Sequence, residues 1–541
     1  MKTEQQDIDY KQIWDLGDLY QGLDDPCLEA DHDRLEQAIA HFESRFAPRL
    51  ELVFQEAELM AAALDEYARI QTLLHDLMVF AVLEWNVATQ DTAVNSFRDK
   101  LNRQVSEWSN RLEFFRQALT HLEASQLEDL LCHREVAKYA AFLQRMRRFQ
   151  PYLRSESEER LLQLMRQFSR QRWLDFYTQT TSSWIFNVKG EELTEDQAMD
   201  SLRKTDPDLR LTGYESVFGS YHQQRDFITY IYNTLIQEYA QEANLRGFET
   251  TLAQQAFEQE LKAGQVLHLL DEVRARLPLF QRYYRVLRQS LDLKRLRSCD
   301  ISAPLRSQDW QVDWEQGREI LLQALAPLGP EIHGRVAEFF SQRWIHARPL
   351  KGKSAGAFCA PTAQQHPYVM MNSNGNLYSL TALTHELGHG LHFYETVQEQ
   401  HVLHLMPPLF LAETASTLNE YFLAHYLMEQ SSDSDDKRYF LSDLLQRFLN
   451  GLFRQSQITE FEVFAHGEGR QRALSADELH AKWFELARER GGDAIDVLDI
   501  EAAGWSRVPH LFIYPFYCYN YTLSNVIVLA LIHQYHQDSR A

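Results

Sequence analysis

Between residues 49 and 150, apolar side chains recur three and four positions apart, as in Leu59, Ala62, Ala63, Tyr67 and Ile70, against a background of Leu, Ala, Glu, Gln and Arg. That spacing lines one face of an α-helix. The same stretch contains neither Gly nor Pro, so no helix breaker interrupts it. The pattern predicts a stack of helices. A coiled coil is disfavoured, because no strict heptad persists and Trp85, Trp108 and Phe114 interrupt the apolar seam. Residues 155–290 continue the helical pattern, with apolar stripes at 230–236 and 266–270 that read as core packing. No fixed period repeats, which argues against a solenoid.

The pattern changes near Lys351. The run Lys351-Gly352-Lys353-Ser354-Ala355-Gly356-Ala357-Phe358 is small and turn-rich, and His366-Pro367-Tyr368-Val369-Met370-Met371-Asn372 follows, closed by the turn Ser373-Asn374-Gly375. This predicts a short strand pair, a small β element over about 355–375 set into a helical protein. Helices resume at about Ser379, and the polar runs 429–436 and 490–493 read as exposed loops. The expected fold class is mainly α, with an N-terminal helical region over 1–190 and a second region over 191–541 that carries the β element and the helices at about 379–428.

Composition narrows the function. With 45% apolar and 24% charged residues, the 541-residue chain can bury a large core. Its net charge of −23 disfavours nucleic acid and anionic lipid as partners and acts as a solubility device. Five scattered cysteines without a CxxC pair fit a reducing compartment. The start, Met1 to Asp7, is polar and lacks the apolar core of a signal peptide, and the longest apolar run, 526–532, is too short to span a bilayer. The expectation is a cytoplasmic protein without a membrane partner.

The chemistry concentrates in Thr384-His385-Glu386-Leu387-Gly388-His389, an HExxH motif. On a helix, residues four apart share a face, so His385 and His389 can hold one zinc while Glu386 stands beside it as a base for a water. A catalytic zinc needs a third protein ligand. Glu395 lies six residues after His389, but that geometry requires a Gly where this chain has His392, so the helix is expected to run on through Phe393 and Tyr394. Glu413 is the better candidate: Met406-Pro407-Pro408 breaks the chain, and a second helix can then cross the first. Glu420, seven residues on and on the same face, suits a carboxylate that accepts a hydrogen bond from a zinc-binding imidazole, with a solvated surface acid as the plain alternative.

These residues resemble the zinc oligopeptidases grouped with oligoendopeptidase F and thimet oligopeptidase. Glu413-Thr414-Ala415-Ser416-Thr417-Leu418-Asn419-Glu420 is similar to that family's third-ligand helix. The opening Trp14-Asp15-Leu16-Gly17-Asp18-Leu19-Tyr20 with Asp24-Asp25-Pro26 resembles the oligoendopeptidase F branch. So do Lys351-Gly352-Lys353, His366-Pro367-Tyr368 and Trp505-Ser506-Arg507-Val508-Pro509-His510. The resemblance implies a mainly α, zincin-like (gluzincin) helical ellipsoid with a deep central channel and the small β element next to the metal helix. It implies one Zn2+ per chain, held by His385, His389 and Glu413, with Glu386 activating the water that attacks internal bonds of short peptides. It further implies that His510 and a tyrosine of the following helix stabilise the oxyanion. Tyr517 is assigned by register, with Tyr514 and Tyr519 as rivals; alternation at 517, 519 and 521 would also fit a strand or plain packing. Where the family carries small residues including Gly after these tyrosines, this chain has Thr522-Leu523-Ser524-Asn525.

A substrate peptide is expected to add to the Tyr368-Val369-Met370-Met371 strand. Gly352 and Gly356 let a backbone approach closely, or simply form an ordinary connecting turn. Candidate substrate contacts are therefore Gly352, Gly356, Tyr368, Tyr514 and Tyr519. The alternative reading of the same metal site is a helical zinc carboxypeptidase, and a helical binding scaffold with an accidental HExxH is the rival from another class. Oligomeric state is left unassigned.

Overall fold

The computed structural model describes residues 10–305, 310–354 and 356–537. The polar start Met1 to Asp7, and Ala355 of the turn-rich run, lie outside the described residues. Among the described residues the chain is mainly helical, as the pattern predicts, with two small sheets where the pattern predicts one. The breaker-free stretch forms long helices, Ala57–Val87 and Thr92–Thr120, preceded by Pro26–Phe46. Asp91 starts the second of the long pair by accepting hydrogen bonds from the Ala93 and Val94 amides, which gives otherwise orphaned N–H groups a partner.

The described residues divide into two compact units. The first comprises 10–153, 310–354, 356–407 and 415–426, and the second 154–305, 408–414 and 427–537. In the first unit the three helices share an aromatic core. Phe42 sits 4.9 Å from Phe46, 5.1 Å from Phe115 and 5.9 Å from Tyr67, ring centre to ring centre. Phe42, Phe46 and Phe115 are fully buried, each contributing about 1.5–3 kcal/mol by burial alone.

The β element of this unit is larger than the sequence predicts. Strands β4 (Phe358–Ala360) and β5 (Tyr368–Met370) are antiparallel, but Ile345–His346, here β3, pairs in parallel on the other side of β5. The strand order is β3-β5-β4, so β5 is central. Two residues of strand leave too short a run for alternation to show, which is why β3 escapes the pattern. The long helix Ala57–Val87 and the turn after it fasten β4 from both ends. His75 Nε2 lies 2.9 Å from the Pro361 carbonyl, Asp76 accepts from the Ala363 amide at 2.7 Å, and Ser354 N donates to the Asn86 carbonyl at 2.8 Å.

The second unit contains a hairpin that the sequence reading lacked, β1 (Phe186–Val188) with β2 (Glu191–Leu193). Its core gathers Tyr232, Phe461, Trp483 and Trp505. Beside that core, Glu242 on helix Arg225–Arg246 is buried and receives Arg166, Arg170 Nη2 at 2.9 Å and Arg246 Nε at 3.0 Å. In the run 490–493, Gly492 and Asp493 form an exposed turn as expected, but Arg490 and Gly491 end helix Ala476–Gly491, and Gly491 is buried against Ile495 and Val497. The five cysteines are free, and among the described residues no helix is long and apolar enough to cross a membrane.

Burial alone would raise the Glu242 carboxyl, but the hydrogen bonds and charges of Arg166, Arg170 and Arg246 outweigh it and hold it down at about 2. A depressed carboxyl contributes stability above its unfolded value, and that contribution is lost as pH falls from about 4.5 toward 2. Glu242→Gln is expected to destabilise the second unit by about 1–3 kcal/mol at neutral pH, because it removes the buried charge on which Arg166, Arg170 and Arg246 converge. Urea denaturation should show that deficit shrinking through the acid window.

Candidate active site

The HExxH segment lies within helix Leu377–Glu399, which Asn376 caps by accepting from the Ser379 amide. The helix starts two residues before the predicted point and runs on past Tyr394, as expected. After the proline break a second helix, Leu409–Gln430, crosses it. Gly388 and Ser416 mark the crossing. A Cβ added at Gly388 would lie 2.4 Å from Ser416 Cα and 2.7 Å from the Ala415 carbonyl, so the two backbones touch there. Gly390 faces the Phe339 ring, where an added Cβ would lie 2.6 Å from Cζ. Residues 413, 416 and 420 share one face of the crossing helix, so contact at Ser416 presents Glu413 and Glu420 on either side of it.

The consequence is a donor cluster. Ligand atoms of His385, His389 and Glu413 all lie within 4.8 Å of one another. Nδ1 of His385 is 2.6 Å from Glu420 Oε1, which fixes the ring and leaves Nε2 as the atom suited to a metal. Asn419 Nδ2 donates to the Thr384 carbonyl at 3.4 Å, a further tie between the helices. Glu386 is buried on the same helix. Strand β4 packs against this helix, and the charge of Glu386, with burial as the larger cause, pushes the Cys359 thiol of β4 well up. Two imidazoles with three carboxylates in a partly buried space form a donor set of the right chemistry for zinc, and their excess negative charge suits a dication. The residues therefore fit the metal. Glu395 is not part of this cluster.

The second half of the predicted site lies in the second unit. A short helix, His510–Ile513, is followed by a turn and by helix Tyr519–Gln537. Phe516 holds φ at +58° in that turn, and its amide donates to Glu462 at 2.6 Å. The His510 and Tyr517 rings stack at 5.2 Å, and Tyr521 stands edge-on to both, 6.1 Å from His510 and 5.3 Å from Tyr517. Burial first, then the charge of Glu413, raises both the Tyr517 and Tyr521 phenols, while burial lowers His510. The two phenols are thus neutral at neutral pH, and the charge of Glu413 reaches both.

Some expected substrate contacts fall elsewhere. Tyr368 is fully buried, with its ring against Trp14 and His366, and β5 has both edges paired, so no peptide can add to it. The available edge among the described residues is β4. Tyr519 is also fully buried, packed among Leu252, Ala256, Val266 and Phe516, and is a core residue. Tyr514 donates to Glu258 at 3.2 Å. Gly352 and Gly356 adopt φ of +83° and +84°, conformations that favour Gly; the Gly352 carbonyl accepts from Thr89, and Gly356 has open space around it. Tyr521, in the sequence only the third member of an alternation, joins the group because the chain turns into helix Tyr519–Gln537 just after Tyr517. At the position of the family's small residues, Thr522 Oγ1 donates to the Gly451 carbonyl, and Asn525 abuts Gly451, so the glycine comes from the opposing helix.

Comparison with known proteins supplies the family. The model described as Peptidase family M3 matches residues 201–541, and one described as Oligopeptidase F matches residues 119–186. The chain belongs to peptidase family M3. It is accordingly a metallopeptidase, a hydrolase acting on peptide bonds. This M3 peptidase is 25% identical to Oligopeptidase PepF of Bacillus subtilis, over 88% of this chain and 72% of that protein. It is likewise 25% identical to Group B oligopeptidase PepB of Streptococcus agalactiae, over 96% of this chain and 87% of that one. Among solved structures, the fold matches oligoendopeptidase-F from Enterococcus faecium with TM-score 0.67 at 21% identity, covering 93% of this chain and 86% of that one. It matches PZ peptidase A with TM-score 0.73 at 19% identity, covering 95% and 89%.

In this M3 peptidase, Gly388→Ala forces apart two backbones that already touch. It is expected to lower stability by about 1–3 kcal/mol and to reduce bound zinc, read by thermal melting and metal analysis on the same sample. Glu420→Gln keeps the shape but weakens the acceptor behind His385. Zinc affinity should fall about 10–100-fold in a chelator competition, with melting of the zinc-free protein little changed.

Proposed function

We propose that this chain is a zinc oligoendopeptidase that cleaves internal bonds of short peptides, with one zinc held by His385, His389 and Glu413. The observation that carries the reading is the convergence of those three donors beside a buried Glu386 in a chain of the M3 family. Zinc bound there supplies Lewis-acid polarisation of the scissile carbonyl and an activated water.

The protein's own groups do the rest. Glu420 holds His385 in one tautomer. Glu386 takes a proton from the attacking water and returns it to the leaving amine, a transfer that burial of the carboxylate favours. His510 and Tyr517 donate hydrogen bonds to the oxyanion of the tetrahedral intermediate, with Tyr521 hydrogen-bonded to Tyr517 and holding its hydroxyl in place. Their proximity to Glu413 supports this role. The substrate backbone lies along β4, where main-chain hydrogen bonds bind without reading side chains, and this suits an enzyme of broad specificity. A cytoplasmic setting fits the five free cysteines.

Glu386→Gln is expected to keep its zinc and lose about 10²–10⁴-fold in kcat on a quenched fluorescent peptide. Wild-type enzyme should cut a C-terminally amidated peptide internally, as mass spectrometry of the products would show. Release of single C-terminal residues from the free-acid form, with the amide untouched, would instead make it a carboxypeptidase.

A further inference from the structure

Lys353 takes no part in the chemistry above, yet it occupies a demanding position. It lies between β3 and β4, in a segment whose described residues are 347–354 and 356–357. Because β3 is parallel to β5 and β4 is antiparallel to it, that segment must cross the C-terminal end of β5. Lys353 Nζ points into that end. It lies 3.0 Å from the His346 carbonyl, 2.9 Å from that of Arg348, 2.5 Å from that of Met371 and 2.8 Å from His346 Nδ1. An ammonium has three protons and no acceptor, so it can serve three carbonyls at once. Those carbonyls lie at or just past the ends of β3 and β5, where the ladder stops and acceptor capacity is left over for another donor.

The surrounding groups leave this cation without a counter-charge. No carboxylate pairs with Lys353 among the described residues, and burial pushes its amine down to about 7. His346 is the titratable group facing it; burial and then the Lys353 charge push that imidazole down to about 3, so it is neutral and supplies no counter-charge. On the outer side the crossover is tied by neutral contacts only. The Gly352 carbonyl accepts from the Thr89 amide and hydroxyl, and Asn372 Nδ2 donates to the Ser354 carbonyl at 2.9 Å. The crossover then enters β4 at Phe358, one residue before the Cys359 that senses Glu386.

We propose that Lys353 is a positioning residue for the substrate peptide: by gathering the carbonyls of His346, Arg348 and Met371, it fixes where the β3–β4 crossover delivers the β4 edge against the helix that carries Glu386. This rests on the reading that substrate lies along β4. Removing the ammonium leaves those carbonyls without their shared donor, so the crossover loosens and peptide affinity falls.

The test measures binding apart from turnover, using zinc-loaded full-length protein carrying Glu386→Gln and a fluorescein-labelled nonapeptide followed by polarisation. Adding Lys353→Met should weaken binding about tenfold at mildly acid pH, with zinc content retained. Lys353→Arg, which keeps a cation with several donors, should bind the peptide within about threefold of the parent, and this arm decides the matter if Lys353→Met does not fold. Unchanged affinity in Lys353→Met, or a folded Lys353→Arg that binds about tenfold more weakly, overturns the inference while leaving the peptidase reading intact. Wild-type hydrolysis independent of Glu386 would sink that reading and this inference with it.

Discussion

The site depends on one close approach, the contact of the Gly388 and Ser416 backbones. The placing of His385, Glu420 and Glu413 is referred to it. Helices normally stand about 8–10 Å apart because side chains separate them. Removing the side chain at Gly388, and keeping it small at Ser416, brings the axes close enough for Glu420 to reach His385 at 2.6 Å and for Glu413 to join both imidazoles. A methyl group at Gly388 would have to displace main chain, which cannot rotate away as a side chain can. The glycine within the HExxH motif is thus explained by packing rather than by catalysis.

The second constraint is the fastening of a very short sheet. Strands of two and three residues cannot persist alone. Here the sheet is held by groups distant in sequence: His75 and Asp76 after β4, Asn86 and Thr89 before it, and Lys353 at the crossover. The N-terminal helices therefore have a role beyond bulk. The breaker-free run that makes Ala57–Val87 long also carries backbone acceptors and an aspartate to the strand beside Glu386.

Polar groups are treated differently in the two units. Around Glu242 the charges are paired and hydrogen-bonded, so burial is offset and the carboxyl is strongly acidic. Around His510, Tyr517 and Tyr521 burial raises the phenols and lowers the imidazole, keeping neutral donors at neutral pH. The first arrangement stabilises structure; the second suits a group that must donate to a charge appearing only during reaction.

Spacing by itself determined the helical class, the HExxH face, and the pairing of Glu413 with Glu420, because these follow from the local 3.6-residue period and from a proline break. It also favoured Glu413 over Glu395, since a chain without Gly at 392 continues its helix. Partners chosen by packing were not legible. Tyr368 and Tyr519 look like functional aromatics in the sequence and are core residues, while Tyr521 looks like a third member of an alternation and joins His510 and Tyr517. The sheet order β3-β5-β4 moved the available edge from β5 to β4, and no local pattern encodes that, because it depends on a two-residue strand from before the turn-rich segment. Local periodicity settles what a segment becomes; which side of it remains open is decided only when distant segments pack against it.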